Sequence, residues 1–233
     1  MKIVEDAEFR AGLLKKIADR EFSERTGVHC SDLIYCLNKQ AIRRLHPEPS
    51  EDSETLLFSL GWATQRWLTG KDEDEESRVV DGIIVTCDAV IETCPWELKA
   101  SYQSSNKDIS ENLAWVRQIM AQCYVLESTT AYLSRLEIMG DWKSVFKPKD
   151  YKLWNAEEKL VFDKEHSKPA LHAYKLEFTR EELDKNWEWL KERRDMFQEL
   201  LDGAPLFPRL AALAPGMAWL CGYCKYKCGD LAV

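Results

Sequence analysis

The sequence predicts an α/β fold, a mixed central sheet flanked by helices, and three observations carry that prediction. The block "RVVDGIIVTCDAVIETCPWELKAS", which starts at Arg78, is rich in Val and Ile and carries Gly82 and Pro95, the composition of two or three adjacent strands. Apolar residues recur at helical spacing on both sides of it. A further strand-like run, "TTAYLSRLEIMG", follows the next helical segment, so the order is helix, strands, helix, strand.

Each element has its own local reason. Residues 4 to 22 have an amphipathic helical pattern. A second helix is predicted to start at Ser31, whose hydroxyl is placed to cap it, and to run through "DLIYCLNKQAIRRL" with Leu33, Ile34, Leu37, Ile42 and Leu45 near one face. "HPEPSEDSE" breaks that pattern, a third helix covers roughly 54 to 69, and the acidic run "KDEDEES" reads as a solvated loop. Beyond the strands, "DISENLAWVRQIMAQCYVLE" returns to helical spacing with Asp108 and Glu111 in capping-box positions. Residues 140 to 169 alternate basic and aromatic side chains without a clear period and are predicted to form a surface insertion before a strand at 170 to 178. Thr179 and Glu182 form another capping box and open a long helix to about residue 202.

Composition narrows the class. With 233 residues, 45% of them hydrophobic, the chain has enough apolar material for the core of one domain spanning residues 1–233. It has no run of about eighteen apolar residues, and its first twenty residues mix charges of both signs, so a cytoplasmic protein without a membrane span is expected. The eight cysteines are unevenly spaced, which in a reducing compartment favours metal ligands or buried thiols over a disulfide framework. Cys87, Cys94 and Cys123 sit among apolar residues and are expected to be buried thiols. A net charge of -8 argues against a wholly basic nucleic-acid coat but leaves room for a local basic groove with carboxylates and a divalent cation at its floor.

Within "CDAVIETCPWELKAS", Glu97 and Lys99 are two apart on a predicted strand and therefore project from one face, while Leu98 points to the other. A neighbouring strand carrying Asp88 would bring a second carboxylate alongside. Two carboxylates suit Mg2+ or Mn2+, which keep several waters and take further ligands from a phosphate. A lysine beside them can orient the attacking water or help deprotonate it, and can offset charge developing at phosphorus. As an isolated triplet the same residues are better described as a same-face surface pair and a strand end.

Near the C-terminus, "WLCGYCKYKCGD" places Cys221, Cys224 and Cys228 within eight residues. Three thiolates leave a tetrahedral site one short, so a fourth ligand must come from elsewhere. Spacing alone leaves structural zinc and an iron-sulfur cluster open, and leaves both Cys30 and Cys36 as candidates for the remaining ligand.

"DAVIETCPWELKA" resembles the core motif of the PD-(D/E)XK nuclease superfamily, and "RQIMAQCYVL" resembles the glutamine helix of its RecB-like branch. With "HCSDLIYCLNKQAIRRL" upstream and "CGYCKYKC" downstream, residues 28 to 229 are similar to the CRISPR-associated iron-sulfur exonuclease family, the fourth Cas protein. The resemblance implies a restriction-endonuclease-like catalytic core over 78–139 and a helical lobe in which segments 28–45 and 216–229 bind a [4Fe-4S] cluster through Cys36, Cys221, Cys224 and Cys228. It also implies that Asp88 and Glu97 hold Mg2+ or Mn2+, that Lys99 is the catalytic lysine, and that Gln118 is the helix-motif glutamine.

The chain departs from the family pattern at two places. Gln65 stands where a metal-binding histidine is usual, and Gln122 stands where the helix motif continues to a tyrosine, with Tyr124 two positions later. The implied activity is metal-dependent exonucleolytic cleavage of single-stranded DNA ends, trimming fragments for a CRISPR integrase that would be a partner. The departures at Gln65 and Gln122 support an alternative: a catalytically weak DNA-binding or scaffold module that keeps the fold and a structural four-cysteine metal site.

Overall fold

The structure is a computed structural model and describes residues 6–21, 26–48, 50–70, 76–102, 108–139, 147–166, 169–226 and 228. The chain begins with α1 (Ala7–Glu21), β1 (Val28–His29), α2 (Cys30–Leu33), α3 (Leu37–Leu45) and α4 (Asp52–Thr69). Four strands follow, β2 (Glu76–Val80), β3 (Ile83–Cys87), β4 (Ala89–Ile91) and β5 (Cys94–Tyr102), and then α5 (Leu113–Val125) and β6 (Thr130–Met139). The rest comprises α6 (Ala156–His166), β7 (Ala170–Glu177), α7 (Arg180–Leu201) and the short α8 (Arg209–Ala212).

The α/β class holds, but the strands form two mixed sheets where one was expected. In the smaller sheet β3 lies between β1, to which it is parallel, and β2, to which it is antiparallel. The larger sheet has the order β4-β5-β6-β7, with β5 and β6 parallel and both outer pairings antiparallel. The Val- and Ile-rich block thus supplies four strands, and the chain changes sheets at Asp88, between β3 and β4. Helix α5 contacts both β3 and β5 and so joins the sheets, while α7 packs along α2, α3 and α5.

Two apolar clusters fill the interior. The larger gathers Leu33, Ile34 and Leu37 from the N-terminal helices, Ile83 and Val85 from β3, and Trp187, Leu190, Phe197 and Leu200 from α7. The smaller packs Ile119 and Cys123 of α5 on Ala131 and Leu133 of β6 and Leu183 of α7. Removing such side chains from water is the main stabilising contribution, roughly 25 cal/mol per Å² of apolar area.

The second predicted helix is broken. It begins at Cys30, one residue before Ser31, and the Asp32 carboxylate accepts from the His29 backbone N–H at 2.9 Å. It stops after Leu33, and Cys36 instead forms an isolated bridge with Leu213 before α3 begins. The cause is tertiary. Arg193 of α7, only 4% exposed, donates to the carbonyls of Leu33, Tyr35 and Ala212, and the Ala214 N–H takes the Tyr35 carbonyl at 3.1 Å. Carbonyls held this way do not serve an i→i−4 ladder. Asn38 extends the seam by exchanging two hydrogen bonds with the Phe207 backbone, at 2.8 and 3.1 Å. Segments from the two ends of the chain are therefore joined by polar contacts over a shared core.

Two capping predictions have different outcomes. Thr179 and Glu182 cap α7 reciprocally, as expected. Asp108 instead caps a 3-10 turn, Ile109–Glu111, through the Ser110 N–H at 2.8 Å, and α5 starts only at Leu113. The predicted insertion contains more order than its sequence suggested. Residues 140–146 lie outside the described residues, but α6 is opened by reciprocal bonds between Asn155 and Glu158 at 2.9 Å, and Tyr151, Trp154 and Phe162 pack on one another.

Candidate active site

Glu97 and Lys99 project from one face of β5, as their spacing predicts, and α5 covers that face. Glu97 is 2% exposed. One of its carboxylate oxygens accepts from the Lys99 ammonium and the other from Gln122 Nε2 at 2.5 Å. The Lys99 ammonium also donates to Gln118 Oε1 at 2.9 Å. Gln118 and Gln122, one helical turn apart on α5, therefore address the two members of the buried ion pair separately.

Asp88 reaches the same place from the junction between the sheets. Its Oδ2 accepts the Leu98 backbone N–H at 2.7 Å, which anchors the carboxylate to β5 between Glu97 and Lys99. Gln122 also donates to the Thr86 carbonyl of β3 at 2.9 Å, so one amide fastens helix, small sheet and large sheet around the carboxylates. Its own Oε1 is buried and has no hydrogen-bond partner among the described residues. An orphaned buried acceptor costs about 1–3 kcal/mol, a cost compatible with a site that receives a donor when occupied.

The electrostatics give Lys99 a definite state. Burial by itself pushes the ammonium pKa down, but Glu97, then Tyr35 and Asp88, outweigh burial and hold it above the ordinary lysine value. In this arrangement Lys99 is a cation and a hydrogen-bond donor, not a base. Tyr35, which sequence reasoning did not connect to this site, stands close enough to favour that charge. No local pattern announces it, because it arrives through the broken turn before Cys36.

Of the remaining candidates, Gln65 lies half-buried on α4, and no hydrogen bond ties its side chain to Asp88 or Glu97 among the described residues. Tyr124 is remote in role: it stacks on Trp187 with ring centroids 4.5 Å apart, and Arg180 lies over it at 4.9 Å. Trp187, 1% exposed, donates to Asp81 at 2.8 Å and is a core residue. Trp189 is flanked by Arg117 at 3.8 Å and Arg193 at 5.0 Å.

The carboxylate set fits a hard divalent cation. Asp88 and Glu97 carry oxygen donors of the kind that Mg2+ or Mn2+ takes from protein while retaining water. No group of three or more His, Cys, Asp and Glu side chains forms a metal-holding arrangement among the described residues.

Of the three cysteines expected to be buried, Cys94, at the start of β5, is only half-buried. Cys87 and Cys123 are fully buried, and burial followed by the neighbouring Cys94 pushes the Cys123 thiol up to about 12. Cys30 belongs to the larger core cluster. Cys36 is 5% exposed; burial raises its thiol pKa, a hydrogen bond with the Lys39 backbone opposes this, and Cys228, Cys221 and Cys224 each raise it further. The three C-terminal thiols are thus electrostatic neighbours of Cys36. Four cysteine donors are the set that zinc and iron-sulfur clusters take, but among the described residues these thiols do not come together as a metal-holding group.

No protein-family model matches the chain, and no curated protein matches it. Among solved structures, the crystal structure of SSO0001 superposes with a TM-score of 0.55 at 17% identity, covering 93% of each chain, so the two share a fold. A phage-related exonuclease from Haemophilus somnus 129PT aligns with a TM-score of 0.44 at 13% identity, over 77% of this chain and 96% of its own. No helix among the described residues is long and apolar enough to cross a membrane.

Proposed function

We propose that the chain is a metal-dependent deoxyribonuclease that removes nucleotides from single-stranded DNA ends. The observation that carries this reading is the convergence of Asp88, Lys99 and Gln118 around the buried Glu97, from a strand junction, a strand and a helix. Asp88 and Glu97 would hold Mg2+ or Mn2+, which supplies Lewis acidity and a lowered pKa for bound water. Lys99, kept cationic by Glu97, orients the attacking water and balances the negative charge that develops on the phosphoryl oxygens. Gln118 fixes the ammonium through its 2.9 Å bond, and Gln122 fixes the carboxylate. Phosphodiester hydrolysis then adds the water oxygen to phosphorus and expels a deoxyribose oxygen, which leaves with a proton from solvent.

In the same reading Cys36, Cys221, Cys224 and Cys228 bind a [4Fe-4S] cluster that fastens the two ends of the domain. The protein prepares fragments for a CRISPR integrase. End-labelled single-stranded DNA should be shortened only with Mn2+ or Mg2+, and Asp88→Asn or Glu97→Gln should abolish cleavage while near-ultraviolet circular dichroism stays native. Cleavage retained in either variant would reject the assignment. Anaerobically purified protein should be brown and lose its visible absorbance in Cys36→Ser; colourless protein with stoichiometric zinc would replace the cluster with a structural zinc.

A further inference from the structure

The strand register places Lys99 of β5 directly beside Arg135 of β6, and Arg135 directly beside His172 of β7. Residues paired across strands project from the same face, so these three side chains form a row starting at the candidate active site. At about 4.8 Å per strand the row runs for about 10 Å, while successive phosphates of a stacked strand advance about 3.4 Å, so it has room for more than one phosphate. Exposure changes along it. The side chains of Lys99 and Arg135 are 19% and 9% exposed, and that of His172 is 42% exposed.

A single carboxylate answers the two outer members. Arg135 Nη2 meets Glu137 Oε1 at 2.9 Å, and His172 Nε2 stands 3.7 Å from Glu137 Oε2. Glu137 belongs to the next cross-strand row, opposite Ser101, whose buried hydroxyl has no hydrogen-bond partner among the described residues. His172 lies over Tyr174 at 6.4 Å in a stacked arrangement, and Tyr174 packs on the core, so the imidazole has a fixed seat at the open end. A purely structural ion pair explains Arg135 with Glu137, but not the alignment of a third basic group at the solvent end.

We infer that Arg135 and His172 continue Lys99 as a track for the DNA backbone and position the phosphate next to the one that is cleaved. This rests on the nuclease reading and assigns its substrate path. Arg135 offers the planar donor set suited to phosphate oxygens, and Glu137 orients it through Nη2. The row carries no group that reads a base edge, so it orients the strand without selecting sequence.

The test is binding of a labelled single-stranded oligodeoxynucleotide in EDTA, followed by fluorescence anisotropy across a salt series, together with steady-state cleavage in Mn2+. Arg135→Gln should weaken binding and reduce the slope of log affinity against log salt by about 0.7, the value for one phosphate contact on a single strand. Arg135→Lys should restore the slope. His172→Arg, which adds a permanent charge at an exposed position, should steepen it by about 0.7. In cleavage, His172→Gln should raise KM and leave kcat unchanged, and Lys185→Ala on the far surface of α7 should change nothing.

Unchanged slopes in both Arg135→Gln and His172→Arg would overturn the track while leaving cleavage intact. If Arg135→Gln fails to fold, His172→Arg decides alone. Wild-type protein that binds the oligonucleotide with these slopes but never cleaves would overturn the nuclease reading and leave the track. Wild-type protein that does not bind would overturn both.

Discussion

Gln122 of α5 donates to Glu97 of β5 at 2.5 Å while Lys99 occupies the other carboxylate oxygen, so the most buried acid of the candidate site is held from both sides. A motif comparison treats Gln122 as a departure from the expected tyrosine. Structurally it is a component of the site, and it also binds the Thr86 carbonyl of the other sheet.

Gln122→Leu should leave both Glu97 Oε2 and the Thr86 carbonyl without a donor inside the protein. The expected cost is about 2 kcal/mol in urea unfolding, toward the upper part of the range for unsatisfied buried groups. Cleavage should fall together with stability, because the carboxylate loses its orientation. A stability change below about 0.5 kcal/mol, the scale of a neutral surface substitution, would show that water replaces the amide without loss.

The Glu97–Lys99 pair should show strong coupling. Lys99→Met strands a buried carboxylate and should cost about 3 kcal/mol, whereas Glu97→Gln with Lys99→Met should recover much of that loss. The pH dependence follows from the raised Lys99 pKa. A cation bound more tightly to its proton in the folded state contributes stability that is fully present below the unfolded lysine value and is lost as pH rises through the folded value. Wild-type thermal stability should therefore show no loss from this group between neutral pH and the ordinary lysine range, and a decline only above it. Additive single and double mutants would remove the coupling.

Arg193 should control how the C-terminal segment docks. Its guanidinium binds three backbone carbonyls, and burial lowers its pKa to about 10, partly offset by the nearby Cys36. Because the folded pKa lies below the usual arginine range, the charged form is less favoured when folded. The group's contribution therefore makes folding less unfavourable as pH rises toward and past 10. Arg193→Met should nonetheless destabilise at neutral pH by about 3 kcal/mol, since several carbonyls lose their donor together. Amide exchange should speed up at Ala212 and Ala214 before it does in β6, and uniform acceleration would instead indicate global loss of stability.

Cys123 should be chemically silent. With its thiol pushed up to about 12 and no exposed surface, it should resist alkylation at pH 8 until the protein unfolds. Partly exposed Cys221 and Cys224 should be labelled in metal-free protein and protected when a metal or cluster is bound. Mass spectrometry of tryptic peptides distinguishes the sites, and rapid native-state labelling of Cys123 would contradict its burial.

The sequence by itself determined much of the strand that carries the candidate site. Alternation put Glu97 and Lys99 on one face of β5 and Leu98 on the other, because the period of two is a property of the extended backbone. Thr179 and Glu182 likewise marked the start of α7, since a capping box is satisfied within four residues. The same locality explains what was misplaced. A helix continuing through Cys36 has the right apolar period, and it is the distant Arg193 and Ala214 that take its carbonyls away.

Tertiary structure alone decided that Asp88 falls at a junction between two sheets, that Gln122 joins the site while Tyr124 leaves it, and that Lys99, Arg135 and His172 align. These are relations between strands and helices far apart in the chain. Their energies come from burial and pairing across those distances, so no window of local sequence contains them.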